Sequence, residues 1–316
     1  MRLTRFDEAG LLLGFIALVL IIGIPHPEFF NAGSIEAVLR QTAFVAIIAF
    51  GMVFLVAMVE LDLSVSGIYA VAGMSMALLV KAGMDPWLAV CIALFSGCVM
   101  GALNGALTSA LKVPLIIISL GMLSVYFGIN LIISQGTAVF GMPRDHSFFT
   151  LVGGNHFGMP MVVWITIVTG AILHFVLWRT RYGATVRAVG SNITAAQFLG
   201  IRVVRTRIMT TILVGFLSAL SGVLTLAFFK TSEPTIGAGI ELRVIAAVVI
   251  GGTSLAGGSG TILGAALGAI IITLIDSGIV FYGIDPDYSQ FVTGVVIVAA
   301  IALDRLAKSH RASSSS

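Results

Sequence analysis

Apolar runs of membrane-spanning length recur along this chain, and no other feature constrains its fold as strongly. They cover approximately residues 9–24, 43–59, 63–80, 87–110, 114–133, 160–178, 207–229, 243–257, 261–281 and 288–304, with polar residues, proline or glycine between them. Crossing a bilayer core takes about 20 apolar residues in a helix. Backbone groups in lipid must satisfy each other, so such runs fold as helices. Charged residues make up 10% of the chain and hydrophobic residues 58%, whereas a soluble domain carries about 25% charged residues. Seventeen basic and fourteen acidic side chains cannot coat a water-soluble globule of this size, so a soluble enzyme is excluded. The expectation is an all-α polytopic membrane protein of about ten transmembrane helices, forming one membrane-spanning domain over residues 1–316.

The first run follows Arg2 and Arg5, as a signal peptide would. It has Asp7 and Glu8 in its flank, lacks a small-x-small cleavage site and ends at Ile24-Pro25, so it reads as an uncleaved first helix. The 243–257 run is short and glycine-rich, which suggests a broken or partly re-entrant segment. Cys91 and Cys98 share one apolar run, exclude a disulfide framework and read as small buried packing residues. A net charge of +3 matters less here than where the charges fall, and no nucleic-acid partner is expected.

The ten spans fix which loops share a side. With the N-terminus inside, Arg2, Arg5, Lys112, Arg179, Arg181, Arg187, Arg202, Arg205, Arg207, Arg305, Lys308 and Arg311 fall inside, and Arg40, Lys81, Arg144, Lys230 and Arg243 outside. Twelve against five obeys the positive-inside bias, and inversion would violate it. Residues 1–8, the loop 179–206 and the tail 305–316 are therefore expected in the cytoplasm. Residues 134–159 form the longest external loop. In the 179–206 loop, Ser191 or Asn192 can cap a short helix running from Thr194 to Leu199, with Gly200 suited to the position after its end. Phe198 and Leu199 would then face water unless they meet lipid headgroups or a soluble partner.

Ser96-Gly97-x3-Gly101-Ala102-x2-Gly105-Ala106 recurs as Ser259-Gly260-x3-Gly264-Ala265-x2-Gly268-Ala269, at a constant offset of 163 residues. Small residues four apart allow close helix approach in lipid. Six matches in register point further, to a duplication. The two copies fall on spans of opposite direction, so the halves are expected to be inverted repeats with a pathway at their interface.

The chain offers little covalent chemistry. No Gly-Lys dipeptide occurs, so no Walker-type phosphate loop is present; the Gly251–Gly260 run reads as a tight break between spans. His26, His146, His156, His174 and His310 are scattered and give no metal spacing, and no nucleophile–base set is visible. Neither a catalytic nor a metal site is expected. Ionisable residues at membrane depth are functional candidates. Glu60 and Asp62 lie between the second and third spans, where carboxylates could accept hydrogen bonds from substrate hydroxyls or satisfy helix N-terminal amides. Ser64 accompanies them as a gate or pathway candidate. Asn104, beside Gly105, either bonds between helices or joins that pathway.

Several of these segments together resemble a known family, the transmembrane permease subunits of bacterial sugar ABC importers of the ribose, xylose, arabinose and galactose group. Leu61-Asp62-Leu63-Ser64-Val65 is similar to its Gly-Gly-Ile-Asp-Leu-Ser-Val-Gly segment. Asn104-Gly105, Lys112-Val113-Pro114 and Ser119-Leu120-Gly121 resemble its signature between fourth and fifth spans. Ala188-Val189-Gly190-x-Asn192-x2-Ala195-Ala196-x3-Gly200-Ile201 is similar to its cytoplasmic coupling motif, and Glu241-Leu242-x3-Ala246-x-Val248-Val249-Ile250-Gly251-Gly252-Thr253-Ser254-Leu255-x-Gly257-Gly258-x-Gly260 to its longest motif. The resemblance spans about residues 40–305. It implies a multi-pass bacterial inner-membrane subunit that pairs with a second permease, identical or paralogous. A periplasmic solute-binding protein delivers the sugar, and a cytoplasmic ATPase binds the ATP-Mg that this chain does not. It also implies that Asn192, Ala195, Ala196, Phe198, Leu199 and Gly200 form the surface the ATPase grips. The family's usual Gly-Gly is Val59-Glu60 here, which leaves polyols and other sugar-like solutes open beside pentoses and hexoses. An ion-coupled secondary transporter is the rival reading of the residues alone.

Overall fold

The computed structural model describes residues 4–285 and, beyond them, 288, 291, 292, 294, 295 and 298. The expected tenth span falls largely outside the described residues, and the tail 305–316, with Arg305, Lys308 and Arg311, wholly outside. In chain order come α1 (Thr4–Gly23), a 3-10 turn (Pro27–Phe30), α2 (Ala32–Ala57), α3 (Val65–Lys81), α4 (Pro86–Leu111), α5 (Leu115–Ser134) and α6 (Ser147–Leu151). The two-residue strands β1 (Asn155–His156) and β2 (Met159–Pro160) form a small antiparallel hairpin. Then follow α7 (Met161–Arg179), α8 (Arg181–Ser191), α9 (Ile193–Phe198), α10 (Val203–Phe229), α11 (Ile240–Ile250) and α12 (Ile262–Phe281). The protein is an all-α polytopic membrane protein. Among the described residues, six helices are long and apolar enough to cross a membrane: α2, α4, α5, α7, α10 and α12. Shorter apolar stretches lie in α1 (Gly10–Gly23) and in α3.

Local chemistry sets the helix ends. Asp85 caps α4, its carboxylate accepting from the amides of Trp87 and Leu88, and Pro86 stands in the first turn, where a missing N–H costs nothing. Thr261 caps α12 by accepting from the Gly264 amide. Between α2 and α3 the chain turns through Val59 at φ 62°, a left-handed conformation that a β-branched residue adopts only under strain.

The chain passes repeatedly between two ends of the bundle, one carrying α8 and α9, the other the β-hairpin. α2 is the central post: from Thr42 to Ala57 every residue is buried, against α7, α10, α11 and α12. α5 stands at the periphery and exposes Ile117, Leu120 and Ile132. A helix showing apolar side chains outward is at home in lipid, where no hydrophobic penalty attaches to them. Cys91 is exposed on α4 and Cys98 partly so. The reading of both as buried packing residues is corrected accordingly, because α4 buries only the face bearing its glycines.

Those glycines set how closely helices approach. On α4, a Cβ added at Gly97 would lie 2.6 Å from the Gly215 carbonyl, one at Gly101 would strike the Thr211 carbonyl, and one at Gly105 would stand 3.0 Å from Ile208 Cα. All three face α10. In the second copy, Gly264 abuts the Gly251 carbonyl and Gly268 the Ala247 carbonyl, so that stripe packs along α11. Gly260, just before α12, sits against Val53 of α2.

α11 differs from the other apolar helices. Its eleven residues reach about 16 Å at 1.5 Å per residue, roughly half of a 30 Å core. The expected short segment is thus a half-length helix ending at Ile250, and residues 251–261 form a loop in place of helix. Before this helix runs the irregular leg 230–239. It pairs with Val139 through Ser232, takes a hydrogen bond from Asn130 on Pro234 O, and brings Gly237 (φ 87°) against the Tyr69 ring. A Cβ there would collide with that ring, which explains the glycine. The leg thus packs on the bundle along one side and lines a cavity with the other.

Candidate solute pathway and coupling surface

At the end carrying α9, the turn between α2 and α3 bears Glu60, Asp62 and Ser64, and Asn104 of α4 meets the last two. Asp62, Ser64 and Asn104 are fully buried and satisfy one another. Asp62 Oδ1 accepts from the Ser64 amide at 2.9 Å and the Ser64 hydroxyl at 2.7 Å. The Asn104 amide donates to Asp62 Oδ2 at 3.1 Å and to Ser64 Oγ at 2.7 Å. Tyr126, on α5, closes the network by donating toward Asn104 Oδ1 at 3.0 Å, and Ser119 accepts from the Leu63 amide. The turn is thereby tied to α4 and α5. Asp62, Ser64 and Asn104 form this clamp, and none of them lines the cavities described below. Asn104 thus bonds between helices, one of its two readings, while Asp62 accepts from the Ser64 amide at the start of α3, in keeping with its reading as a partner of helix N-terminal amides.

Glu60 stands apart from the clamp. It lines a cavity of about 550 Å³ bounded by the 58–61 turn, Pro114–Ile116 and residues 189–193. There its Oε1 pairs with Nε of Arg207, on the first turns of α10. Its other carboxylate oxygen is buried without a hydrogen-bond partner. Of the four pathway candidates, only Glu60 lies on a cavity wall. Arg207 was missed as its partner because 147 residues separate them. The available signal was the alternation of spans, which puts both charges at one end.

The same cavity is bounded by residues 189–193, which lead into the segment that the resemblance marks for coupling. Asn192 caps α9, accepting from the Ala195 amide at 2.9 Å, and Gly200 follows the helix at φ 79°. Ala196 is buried against the bundle, while Phe198 and Leu199 are 89% and 81% exposed. α8 anchors this segment: Gly190 packs on the Ala57 carbonyl, and Arg187 donates to Leu177 O and lies over the Trp178 ring. Tyr182 is held against Thr210; burial pushes its hydroxyl up to about 12 and that bond partly offsets the shift, so the hydroxyl stays neutral.

A second cavity, of about 500 Å³, opens at the hairpin end between α2, α3, α10, the 231–238 leg and the start of α11. Phe44 and Phe229 contribute rings, and Gln41, Thr231, Glu233 and Arg243 polar groups. Arg40 is braced by Glu36 at 3.3 Å and lies over Phe228. Arg243 pairs with Asp276 at 3.4 Å, and Tyr69 donates to Thr225 at 2.9 Å, both lining the cavity. Apart from Asp276, an ionisable residue within an apolar run, sequence reading singled out none of these residues as a candidate, because they come from six segments and form no linear motif. Among the described residues no cluster of His, Cys, Asp or Glu has the arrangement of a metal site.

These two cavities lie at opposite ends of a glycine-packed helical bundle, and comparison with known proteins identifies the family. Residues 34–301 match the family described as branched-chain amino acid transport system, permease component. The chain is 36% identical to the ribose import permease protein of Bacillus subtilis (strain 168), over 95% of this chain and 93% of that one. It is 34% identical to the D-allose transport system permease protein of Escherichia coli (strain K12), over 95% and 92%. To the L-arabinose ABC transporter permease protein of Azospirillum brasilense it is 30% identical, over 96% and 89%. These relatives are membrane permease subunits, and the chain belongs with them in the permease family of bacterial sugar ABC importers.

Proposed function

We propose that this chain is the membrane-spanning half of an ATP-driven importer that moves a monosaccharide or similar small polyhydroxy solute inward by alternating access. The observation that carries the reading is α9: a capped helix fixed to the bundle through Ala196, presenting Phe198 and Leu199 to water on a basic loop. Water-exposed apolar residues on an anchored helix suit a docking partner, here a cytoplasmic ATPase that binds ATP-Mg. Asn192, Ala195, Ala196, Phe198, Leu199 and Gly200 form the gripped surface. A periplasmic binding protein delivers the solute at the hairpin end, and a second permease subunit, identical or paralogous, completes the channel within the bacterial inner membrane. The α9 end faces the cytoplasm, in line with the positive-inside count.

The proposed topology has ten passes in two inverted repeats, with α2, α3 and α4 matched by α10, α11 and α12. Three observations support it. Each set packs its first helix against the other set's third, α4 on α10 and α12 on α2. The first helix of each set is followed by a left-handed residue, Val59 and Lys230. The third helices carry the two glycine stripes. Glu60, with Arg207, is the proposed inner gate, and Asp62, Ser64 and Asn104 hold the turn that bears it.

The test is uptake into proteoliposomes holding the permease with its ATPase and binding protein, across pentoses, hexoses and polyols. Uptake that needs ATP and both partners supports the reading. Uptake by the permease alone along an ion gradient, insensitive to loss of the ATPase, would overturn it in favour of a secondary transporter.

A further inference from the structure

We infer that the cavity at the hairpin end is a solute-binding station contained within one chain, built for an uncharged polyhydroxy ligand, with Gln41 and Glu233 as its specificity-determining side chains. The inference rests on the importer reading above and assigns that reading its first binding step.

The walls are already committed in a way that selects the ligand. Both cations that line the cavity are neutralised within the protein, Arg40 by Glu36 and Arg243 by Asp276. Tyr69 and Thr225 are bonded to each other. A ligand carboxylate would therefore compete with Glu36 or Asp276 for a cation that already has an acidic partner. Glu233 and Gln41, by contrast, line the space and have no side-chain hydrogen bond to any described residue. A carboxylate and an amide in that condition can accept from, and donate to, vicinal hydroxyls. The rings of Phe44 and Phe229 supply apolar surface for the C–H face of a sugar ring. A volume of about 500 Å³ lies within the range of small-molecule sites, which combine apolar walls with a few placed polar groups.

The position supports the same assignment. The cavity sits where α11 is only half a helix, so its floor is formed by the irregular leg at Gly237 and the first turn of α11. Broken helices at a repeat interface are where carriers of this general type hold their solutes. A branched-chain amino acid, the solute in the family's description, carries a carboxylate and an ammonium together. The cavity offers no uncommitted cation for the first of these.

The experiment uses the complete transporter in proteoliposomes, with Gln41→Leu, Glu233→Ala and the double variant. Both residues are solvent-exposed, and ATP hydrolysis stimulated by the binding protein reports that each variant is folded and coupled. The expected result is a KM for sugar uptake raised about tenfold in the double variant, with a changed order of preference among sugars and the stimulated hydrolysis retained. An unchanged KM and unchanged preference would overturn the station while leaving the importer reading intact. Failure of the unaltered transporter to import any sugar would instead overturn the importer reading and this inference with it. A second measurement works on the permease without its partners. Gln41→Cys, in a Cys91→Ala, Cys98→Ala background, is treated with a membrane-impermeant thiol reagent. The transported sugar should slow labelling and leucine should not. Slowing by leucine alone, or by neither, would overturn the assignment.

Discussion

Glu60 and Val59 are neighbours that make opposite demands on the turn they share. Glu60 is stabilised by Arg207, and removing one partner of a half-buried pair leaves the other charge poorly solvated. Glu60→Gln is expected to lower uptake about tenfold and to raise hydrolysis in the absence of binding protein. The exchange Glu60→Arg with Arg207→Glu should restore most of both, and a double variant no better than either single one would remove the gate. Val59 adopts a left-handed conformation at φ 62°, at a cost of about 1–2 kcal/mol for a residue with a β-carbon. Glycine loses more backbone freedom on folding, roughly 0.5–1 kcal/mol, so Val59→Gly is expected to stabilise by up to about 1 kcal/mol. The midpoint of thermal unfolding of the purified chain checks this. The sequence marked Glu60 as an ionisable residue at depth, but its partner was hidden by distance along the chain. Asp62 and Asn104 were also legible as candidates. That they bond to each other became visible only when α3 and α4 were placed side by side.

Glycine stripes read from sequence say which face of a helix is small but never which helix it meets. The repeat at Gly97, Gly101 and Gly105 was plain in the residues; its contact with α10, and the contrasting contact of Gly264 and Gly268 with α11, was not. The distinction has measurable consequences. Gly101→Ala forces a methyl group into the Thr211 carbonyl and should cost about 1–3 kcal/mol, as overpacking does. Gly121, on the lipid-facing α5, has nothing within 4 Å of the position a Cβ would take. Gly121→Ala should therefore be neutral or stabilising by up to ~1 kcal/mol. Thermal unfolding in one detergent separates the two. α9 was the most legible element, since its cap, length and terminal glycine all follow local rules. Phe198→Asp should leave the unfolding midpoint unchanged, because the side chain touches little of the bundle, while uptake falls at least tenfold. Normal uptake would argue against docking there. The half-length of α11 was readable as a glycine-rich anomaly. Its cause, a leg that needs Tyr69, Asn130 and Val139 for support, lies in three other elements.

Across the whole molecule, the two cavities lie at opposite ends of the same set of helices, the α9-end one walled by the Glu60–Arg207 pair and the hairpin-end one by Arg40 and Arg243 with their acidic partners. Alternating access requires that they not be open together. Leu61→Cys reports the α9-end cavity and Ala238→Cys the hairpin-end cavity. In the assembled transporter without nucleotide, Ala238→Cys should react with a small thiol reagent faster than Leu61→Cys. Trapping a different stage of the hydrolysis cycle with an ATP analogue should reverse the order. Rates that rise and fall together would show a simple pore.

The burial of α2 on every side bears on how the chain is made. This post emerges from the ribosome early, yet α7, α10, α11 and α12, which enclose it, all come later. Roughly 220 residues separate Ala57 from the end of α12, an interval of about 10–45 s at ordinary rates of synthesis. Through that time α2 must wait in lipid with its future core faces exposed. Its unbroken apolar surface from Ala43 to Met58 thus answers to the nascent chain as much as to the finished protein. A polar residue added to this stretch for a role in the mature bundle would first have to survive the wait.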